Sequence, residues 1–335
     1  MNKRGMMDWE TLLEEYCFSK PLRPDTEKSY RGVVAVFRRF IGLEVMPDEV
    51  TQRDLILWRR DMLNRGLTTS TWNNKVRHLR ALYNQGIKKK WLSITENPVQ
   101  ETQVPPGSKR KRLLNRDQLV RLNLVLAQFE EQEKLSVGKC RPCALYPVWY
   151  WKTVIDVLRS TGMRQNQLLH IRLMDVDMDA NSILLCREGS KTHREWLVPI
   201  VNFARERMQI LIDRAINQGA EPEDYLFDVD RFKNPLGEVG TEPEIQPVRS
   251  FFTRLTKECG FKVTPHRFRH TLATEMMKSP DRNLAMVKNL LGHRSVSTTM
   301  EYIELDLKIT GKALESELAL YMDIPRIPAS EPGVS

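Results

Sequence analysis

The strongest constraint on this chain is a break. Residues 98–112, PVQETQVPPGSKRKR, set Pro105 beside Pro106 and follow them with Gly107. Proline fixes φ and has no amide donor, and glycine is costly to order, so neither a helix nor a strand runs through. A chain of 335 residues is also long for a single core. The expected layout is a helical domain over 1–100, a basic linker over 101–112, a second domain over 113–325 and a disordered tail over 326–335. With 41% hydrophobic and 28% charged residues the composition is that of a globular protein. The N-terminal MNKRGMMDWETLLEEY lacks the apolar segment of a signal peptide, and no apolar run is long enough for a bilayer, so a cytoplasmic protein is expected. The five cysteines are odd in number and scattered, which does not suit a disulfide framework. Cys140 and Cys143 make one CxxC without a second pair or a nearby histidine. They read as reduced thiols in a loop, not as a zinc site.

Both halves read as helical. Residues 8–18 form a short acidic helix, and Asp25 or Thr26 can cap a longer one with Tyr30, Val33, Val34, Phe37, Phe40 and Ile41 on one face. Residues 51–64 make a third helix. Residues 69–86 make a fourth, with Trp72, Val76, Leu79, Leu82 and Tyr83 on its apolar side. Charge is uneven here. Between Met62 and Thr95 there is no acid, while Arg65, Lys75, Arg77, Arg80, Lys88, Lys89 and Lys90 supply seven bases. Solvated faces normally mix signs, so a one-sign stretch in a chain of net charge +9 favours nucleic acid. Lysine suits phosphate, whereas asparagine and arginine can read base edges. Candidate DNA contacts are therefore Lys75, Arg77 and Arg80, and in the linker Lys109, Arg110, Lys111 and Arg112. A plain exposed polar face is the alternative for any one of them.

In the second half, Asn115 caps an amphipathic helix, and residues 148–159 (VWYWKTVIDVLR) make an apolar helix that Thr161-Gly162 ends. Arg164 opens another helix, RQNQLLHIRL. Asp175, Asp177 and Asp179 lack the glycine and distal glutamate of a calcium loop and read as a turn into a strand. ILLC and EWLVP flank a polar turn, giving a β-hairpin over 183–200 with Lys191 near its tip. Helices follow over 202–218 and 247–258, with a long polar stretch between them. The fold class is mainly α with a small β-sheet or hairpin (α+β).

Residues 264–304 concentrate the ionisable chemistry. Thr264 reads as an N-cap and Pro265 as the first helical residue, placing His266 and Arg269 three apart on one face. Leu284, Val287, Leu290 and Leu291 end at Gly292, a left-handed C-cap, so His293 sits just past a helix end. Ser295 or Ser297 can cap a short helix leading to Tyr302, and residues 305–322 can form a last amphipathic helix.

TGMR (161–164), HRFRHTLAT (266–274) and LGHRSVSTTMEY (291–302) resemble the tyrosine recombinase (phage integrase) family, in the family's motif order. The resemblance extends to the first half by layout, as a core-binding domain. It implies that Tyr302 is the nucleophile, forming a 3′-phosphotyrosyl link, and that Arg164 and Arg269 grip the non-bridging phosphate oxygens. Lys191 would protonate the leaving 5′ oxygen, His266 would exchange a proton with the tyrosine, and His293 would hydrogen-bond the phosphate. No cofactor or metal is implied, because the arginines neutralise the charge. The implied partner is a double-stranded DNA recombination site, bound by a homotetramer that exchanges strands through a Holliday junction. The helix at 305–322 would dock on a neighbouring subunit, and accessory DNA-bending or directionality proteins are compatible partners. A nucleoid-associated enzyme of a mobile element, of the simple type without an arm-binding domain, would fit. The family's usual acid three residues after the first arginine is Gln167 here. That departure keeps two alternatives open: a catalytically silent DNA-binding protein and a relaxing enzyme of the type IB topoisomerase kind.

Overall fold

The computed structural model describes residues 7–105, 113–135, 143–188, 194–233, 243–278 and 284–300. The chain forms two compact units, Met1–Arg110 and Lys111–Ser335.

The first unit contains α1 (Trp9–Phe18), α2 (Pro24–Ile41), α3 (Gln52–Asn64) and α4 (Thr69–Lys88). Asp8 caps α1 by accepting from the Thr11 amide at 2.8 Å, and Thr51 and Thr68 cap α3 and α4 in the same way. For α2 the expected caps, Asp25 and Thr26, lie inside the helix. Pro24 takes the first helical position, where its missing N–H costs nothing, and Asp25 and Glu27 then face the helix dipole from the first turn. The inward faces join in an aromatic core: Trp58 lies 4.8 Å from Phe37 and 5.3 Å from Trp72 between ring centroids. The chain after Asn97 does not leave at once. Asn97 is buried and donates to the Arg80 carbonyl, the Trp72 indole donates to the Thr102 carbonyl, and Asn73 makes a reciprocal pair with the Val104 backbone. Residues up to Val104 are thus tied to α4.

The second unit begins with α5 (Arg116–Leu135), capped by Asn115, whose side chain accepts from the Gln118 amide while Gln118 accepts from the Asn115 amide. Next come α6 (Val148–Thr161) and α7 (Gln165–Leu169), which is shorter than the ten residues expected. It stops because the Ile171 carbonyl accepts from the Leu226 amide and Arg172 bridges to Tyr225, drawing the backbone out of helix. The strands β1 (Val176–Asp177), β2 (Ser182–Leu185) and β3 (Trp196–Pro199) form an antiparallel sheet in that order, a third strand more than the hairpin alone. Asp177 accepts from the Asp179 and Ala180 amides and so makes the turn between β1 and β2. Then follow α8 (Asn202–Asn217), α9 (Asp230–Lys233), α10 (Gln246–Cys259), α11 (Pro265–Lys278), α12 (Leu284–Leu291) and α13 (Val296–Met300). The short α9 falls in the long polar stretch between α8 and α10. Helix α6 is central and packs against α5, α8 and α11, with Trp151 stacked on Phe251 at 4.1 Å. Among the described residues no helix is long and apolar enough to cross a membrane.

Candidate active site

The site is built where two helix ends meet one buried arginine. Helix α6 ends at Gly162, whose φ of 62° is left-handed. The same glycine gives room: a Cβ there would come within 2.9 Å of Leu291 and 3.1 Å of Leu272. Helix α12 ends at Gly292, also left-handed at φ 61°, with the His293 amide donating to the Lys288 carbonyl at 3.0 Å. A Cβ on Gly292 would land in the Trp196 indole, and the Trp196 Nε1–H donates to the Leu290 carbonyl at 3.2 Å. The first residue of β3 therefore braces the end of α12.

Arg269 occupies the junction and is 3% exposed. It projects from the buried face of α11, which Thr264 caps by accepting from the Arg267 amide, with Pro265 first in the helix. Arg269 Nη1 donates to the Gly162 carbonyl at 2.7 Å, and Nη2 donates to the Leu291 carbonyl at 2.8 Å. Both carbonyls belong to helix C-termini, which carry partial negative charge and lack intrahelical donors. One guanidinium thus closes two helices and links TGMR, HRFR and LGH.

His293 completes the node. It is buried, with Nε2 2.8 Å from Arg269 Nη2 and Nδ1 2.8 Å from the Thr299 hydroxyl. Burial, reinforced by the Arg269 and Arg164 cations, pushes its imidazole down to about 4. At neutral pH the ring is uncharged. Because arginine can only donate, Nε2 is the acceptor and the ring proton sits on Nδ1. In this structure both ring nitrogens are engaged within the protein. Arg164, the N-cap of α7, is near enough for its charge to act on His293, and its amide donates to Gln167 Oε1 at 2.9 Å. Gln167 is buried, and its Nε2 has no hydrogen-bond partner among the described residues. His266 is exposed in the first turn of α11, its ring stacked on His270 at 5.6 Å between centroids.

Arg164, Arg269 and His293 are therefore brought together, with His266 on the helix that carries Arg269. Lys191, Tyr302, Cys140 and the basic run Lys109, Arg110, Lys111 and Arg112 lie outside the described residues, as do the helix expected at 305–322 and the tail. On α4, Arg77 is exposed and Lys75 is half-buried, which lowers the pKa of its amine. Arg80 leans on the chain and donates to the Val99 carbonyl, and Asn73 is spent on Val104. Ser295, not Ser297, caps α13, accepting from the Ser297 amide. Periodicity reveals neither Trp196 nor Thr299, since both act through contacts between separate elements.

Residues 145–308 match the phage integrase family, and residues 11–93 match the phage integrase N-terminal SAM-like domain. The chain is 36% identical over 295 residues to a Pseudomonas syringae protein assigned as tyrosine recombinase XerC, covering 88% of this chain and 61% of that protein. A Pseudomonas aeruginosa protein of the same assignment is 34% identical over 298 residues, covering 89% of this chain and 69% of that one. The chain thus spans under two thirds of the length of the first relative and slightly more of the second. Two solved structures share the fold. One is the Tn1549 transposon integrase in complex with a circular intermediate DNA, with a TM-score of 0.69, 17% identity, and 93% of this chain and 99% of that one covered. The other is a lambda integrase tetramer bound to a Holliday junction, with a TM-score of 0.65, 16% identity, and 90% and 78% covered. With both domains matched in order and the Pseudomonas relatives similar across nearly all of it, this chain belongs to the phage integrase family of tyrosine recombinases.

Proposed function

We propose that the protein is a site-specific DNA recombinase that cleaves and rejoins DNA through a 3′-phosphotyrosine. The observation that carries this reading is the buried node in which Arg269, anchored on two helix ends, meets His293 beside Arg164. Both cations act on the same imidazole, and an incoming phosphodiester would meet positive charge from each. Forked N–H donors match its oxygens and gain strength as the phosphorane accumulates charge. Preorganised donors of this kind contribute ~3–4 kcal/mol each to a transition state.

In the proposed reaction the Tyr302 oxygen attacks phosphorus while its proton passes to His266. The bond to the 5′ oxygen breaks, and Lys191 supplies the proton that oxygen needs on leaving. The phosphotyrosine conserves the ester, so attack by a second 5′-hydroxyl rejoins the strand without a nucleotide cofactor. A homotetramer pairing two DNA sites, with strands passing through a Holliday junction, is the assembly consistent with the lambda integrase fold. Accessory DNA-bending proteins and residence on the nucleoid belong to the same proposal.

Gln167 favours one second reading, a DNA-binding protein without turnover, because a buried amide stands where the family has an acid and its Nε2 lacks a partner among the described residues. One experiment separates the two. Duplexes bound by Tyr302→Phe are selected from a randomised library, and the recovered site is built into a nicked suicide substrate. Wild type should trap covalent protein on this substrate and Tyr302→Phe should not. Binding without any adduct favours the silent reading. Joining of two differently labelled duplexes then distinguishes recombination from relaxation.

A further inference from the structure

Helix α11 carries Arg269 on one face and two half-buried polar side chains on the other, Arg267 and Thr271. They stand two residues before and two after Arg269. At ~100° per residue each lies roughly 160° around the helix from it, and the two lie about 40° from one another. Both therefore point away from the node that Arg269 forms with His293.

What they touch is the segment by which the chain enters the second unit. Arg267 Nη2 donates to the Leu113 carbonyl and, at 3.2 Å, to Gln118 Oε1, and its Nη1 donates to the Lys262 carbonyl. The Thr271 hydroxyl accepts from the Leu114 amide at 2.9 Å. Leu114 is itself buried in the core of the unit. Gln118 Oε1 also accepts from the Asn115 amide, so a single oxygen joins the cap of α5 to α11. Three acceptors on three separate pieces of chain call for a planar fork of N–H donors, which a lysine ammonium does not offer.

Helix α11 is thus gripped from both sides. Arg269 hangs its front on the Gly162 and Leu291 carbonyls, and Arg267 and Thr271 fasten its back to the entry segment. A helix held on one side can roll about its axis. A roll of ~10° carries a side-chain atom about 6 Å from that axis through about 1 Å. Displacements of that size are enough to cost a catalytic group most of its effect.

We propose that Arg267 is a positioning residue: with Thr271 it clasps the entry segment to the back of α11 and so sets the rotation at which Arg269 meets the scissile phosphate. The part concerning phosphate rests on the recombinase reading above; the clasp stands on its hydrogen bonds. Neither residue touches substrate.

The test uses the full chain and the nicked suicide duplex. Arg267→Ala should slow covalent adduct formation at saturating duplex by about tenfold or more, with DNA affinity unchanged. Two further readouts locate the cause. Amide exchange at Leu114 should speed up as the clasp opens. The ring signals of His293 should shift, because Arg269 Nη2 sits 2.8 Å from that ring. Thr271→Val is close to isosteric and keeps every charge. It should show the same three changes in smaller degree, and it decides the matter should Arg267→Ala not fold. Arg267→Lys keeps the charge without the fork and should recover little of the rate. Weaker DNA binding with a normal rate at saturation would make Arg267 a phosphate contact and overturn the proposal. So would a slower rate with unmoved His293 signals, full activity in Arg267→Lys, or a Thr271→Val protein that matches wild type in all three. If wild type itself forms no adduct, the recombinase reading fails, and Leu114 exchange and the His293 signals alone decide whether the clasp holds α11.

Discussion

The two units are held together by different means. The first is organised around edge-on and tilted aromatic rings: Trp9, Phe37, Trp58, Trp72 and Tyr83 are all buried in one cluster. Its polar groups serve as caps or tie the 97–104 segment to α4. The second unit has an apolar core of its own around Trp151 and Phe251, but it also buries a cation, an imidazole, an amide and a hydroxyl: Arg269, His293, Gln167 and Thr299. Apolar packing is tolerant of small changes, because neighbours can fill part of a void. A buried polar node is not, because each member satisfies another. The contrast separates a scaffold from a site.

The largest effects should come from striking each centre. Trp58→Ala should destabilise the first unit by about 3–5 kcal/mol in urea melts, through lost burial and the cavity left between Phe37 and Trp72. It should leave the titration of His293 in place. Arg269→Ala should cost about 3 kcal/mol, because charge-assisted bonds to the Gly162 and Leu291 carbonyls disappear. It should also cut adduct formation by about two to three orders of magnitude. Unlike Trp58→Ala, it should raise the His293 pKa, since one of the opposing cations is gone. An unmoved His293 pKa would show that Arg269 and the ring are not the neighbours described.

Next in size is Gly292→Ala. It asks an L-residue to hold φ of 61° and drives a methyl group into the Trp196 ring, a rigid obstacle rather than a flexible side-chain end. A loss of about 1–3 kcal/mol is expected. The strain should travel to β3, so the paired positions Leu185 and Trp196 should lose amide protection in hydrogen exchange. Gly66→Ala, at a left-handed position of the first unit with open space around it, should cost only about 1 kcal/mol for the backbone.

Acid sharpens the comparison further. The His293 pKa falls from 6.5 in the unfolded chain to about 4 in the fold, so between those values the unfolded chain holds more protons. The stability linked to this ring is fully present above about 6.5 and is lost as the pH falls toward about 4. The His293 ring signals should titrate with a midpoint near 4, and the stability difference between wild type and His293→Gln should shrink across that window. A midpoint near 6.5 would mean that the ring is neither buried nor faced by the two arginines.

The same division decides what can be read from residues alone. Helices of both units are legible because their signals are local: Thr51 before α3, Asn115 before α5, Gly162 after α6, Thr264-Pro265 before α11 and Gly292 after α12. The boundaries that differ have nonlocal or competing causes. Pro24 overrides Asp25 at the start of α2, and α7 is cut short by a backbone contact from Tyr225, more than fifty residues on. In the site, the motif order points to Arg164, Arg269 and His293, and the structure brings them together. It does not reveal that Arg269 hangs on two helix ends, or that His293 spends both nitrogens on protein. Those facts depend on separations of 107, 22 and 24 residues between Arg269 and its partners Gly162, Leu291 and His293, which no period of a helix or strand encodes.

The smallest effect should come from the surface of the first unit. Among the described basic side chains singled out on α4, Arg77 is exposed, whereas Lys75 is half-buried and Arg80 bonds to the Val99 carbonyl. If Arg77 meets a DNA phosphate, Arg77→Ala should weaken binding of the recovered site and of unrelated duplex alike. It should also lower the slope of log affinity against log salt by about 1. Its effect on folding should be within about 0.5 kcal/mol, as for other surface substitutions. Arg80→Ala should behave differently, loosening the 97–104 segment along with any DNA contact, so its loss of affinity would come with a lower unfolding midpoint. If instead Arg77→Ala weakened only the specific site, the side chain would be reading a base edge, and α4 would be the element that enters the groove.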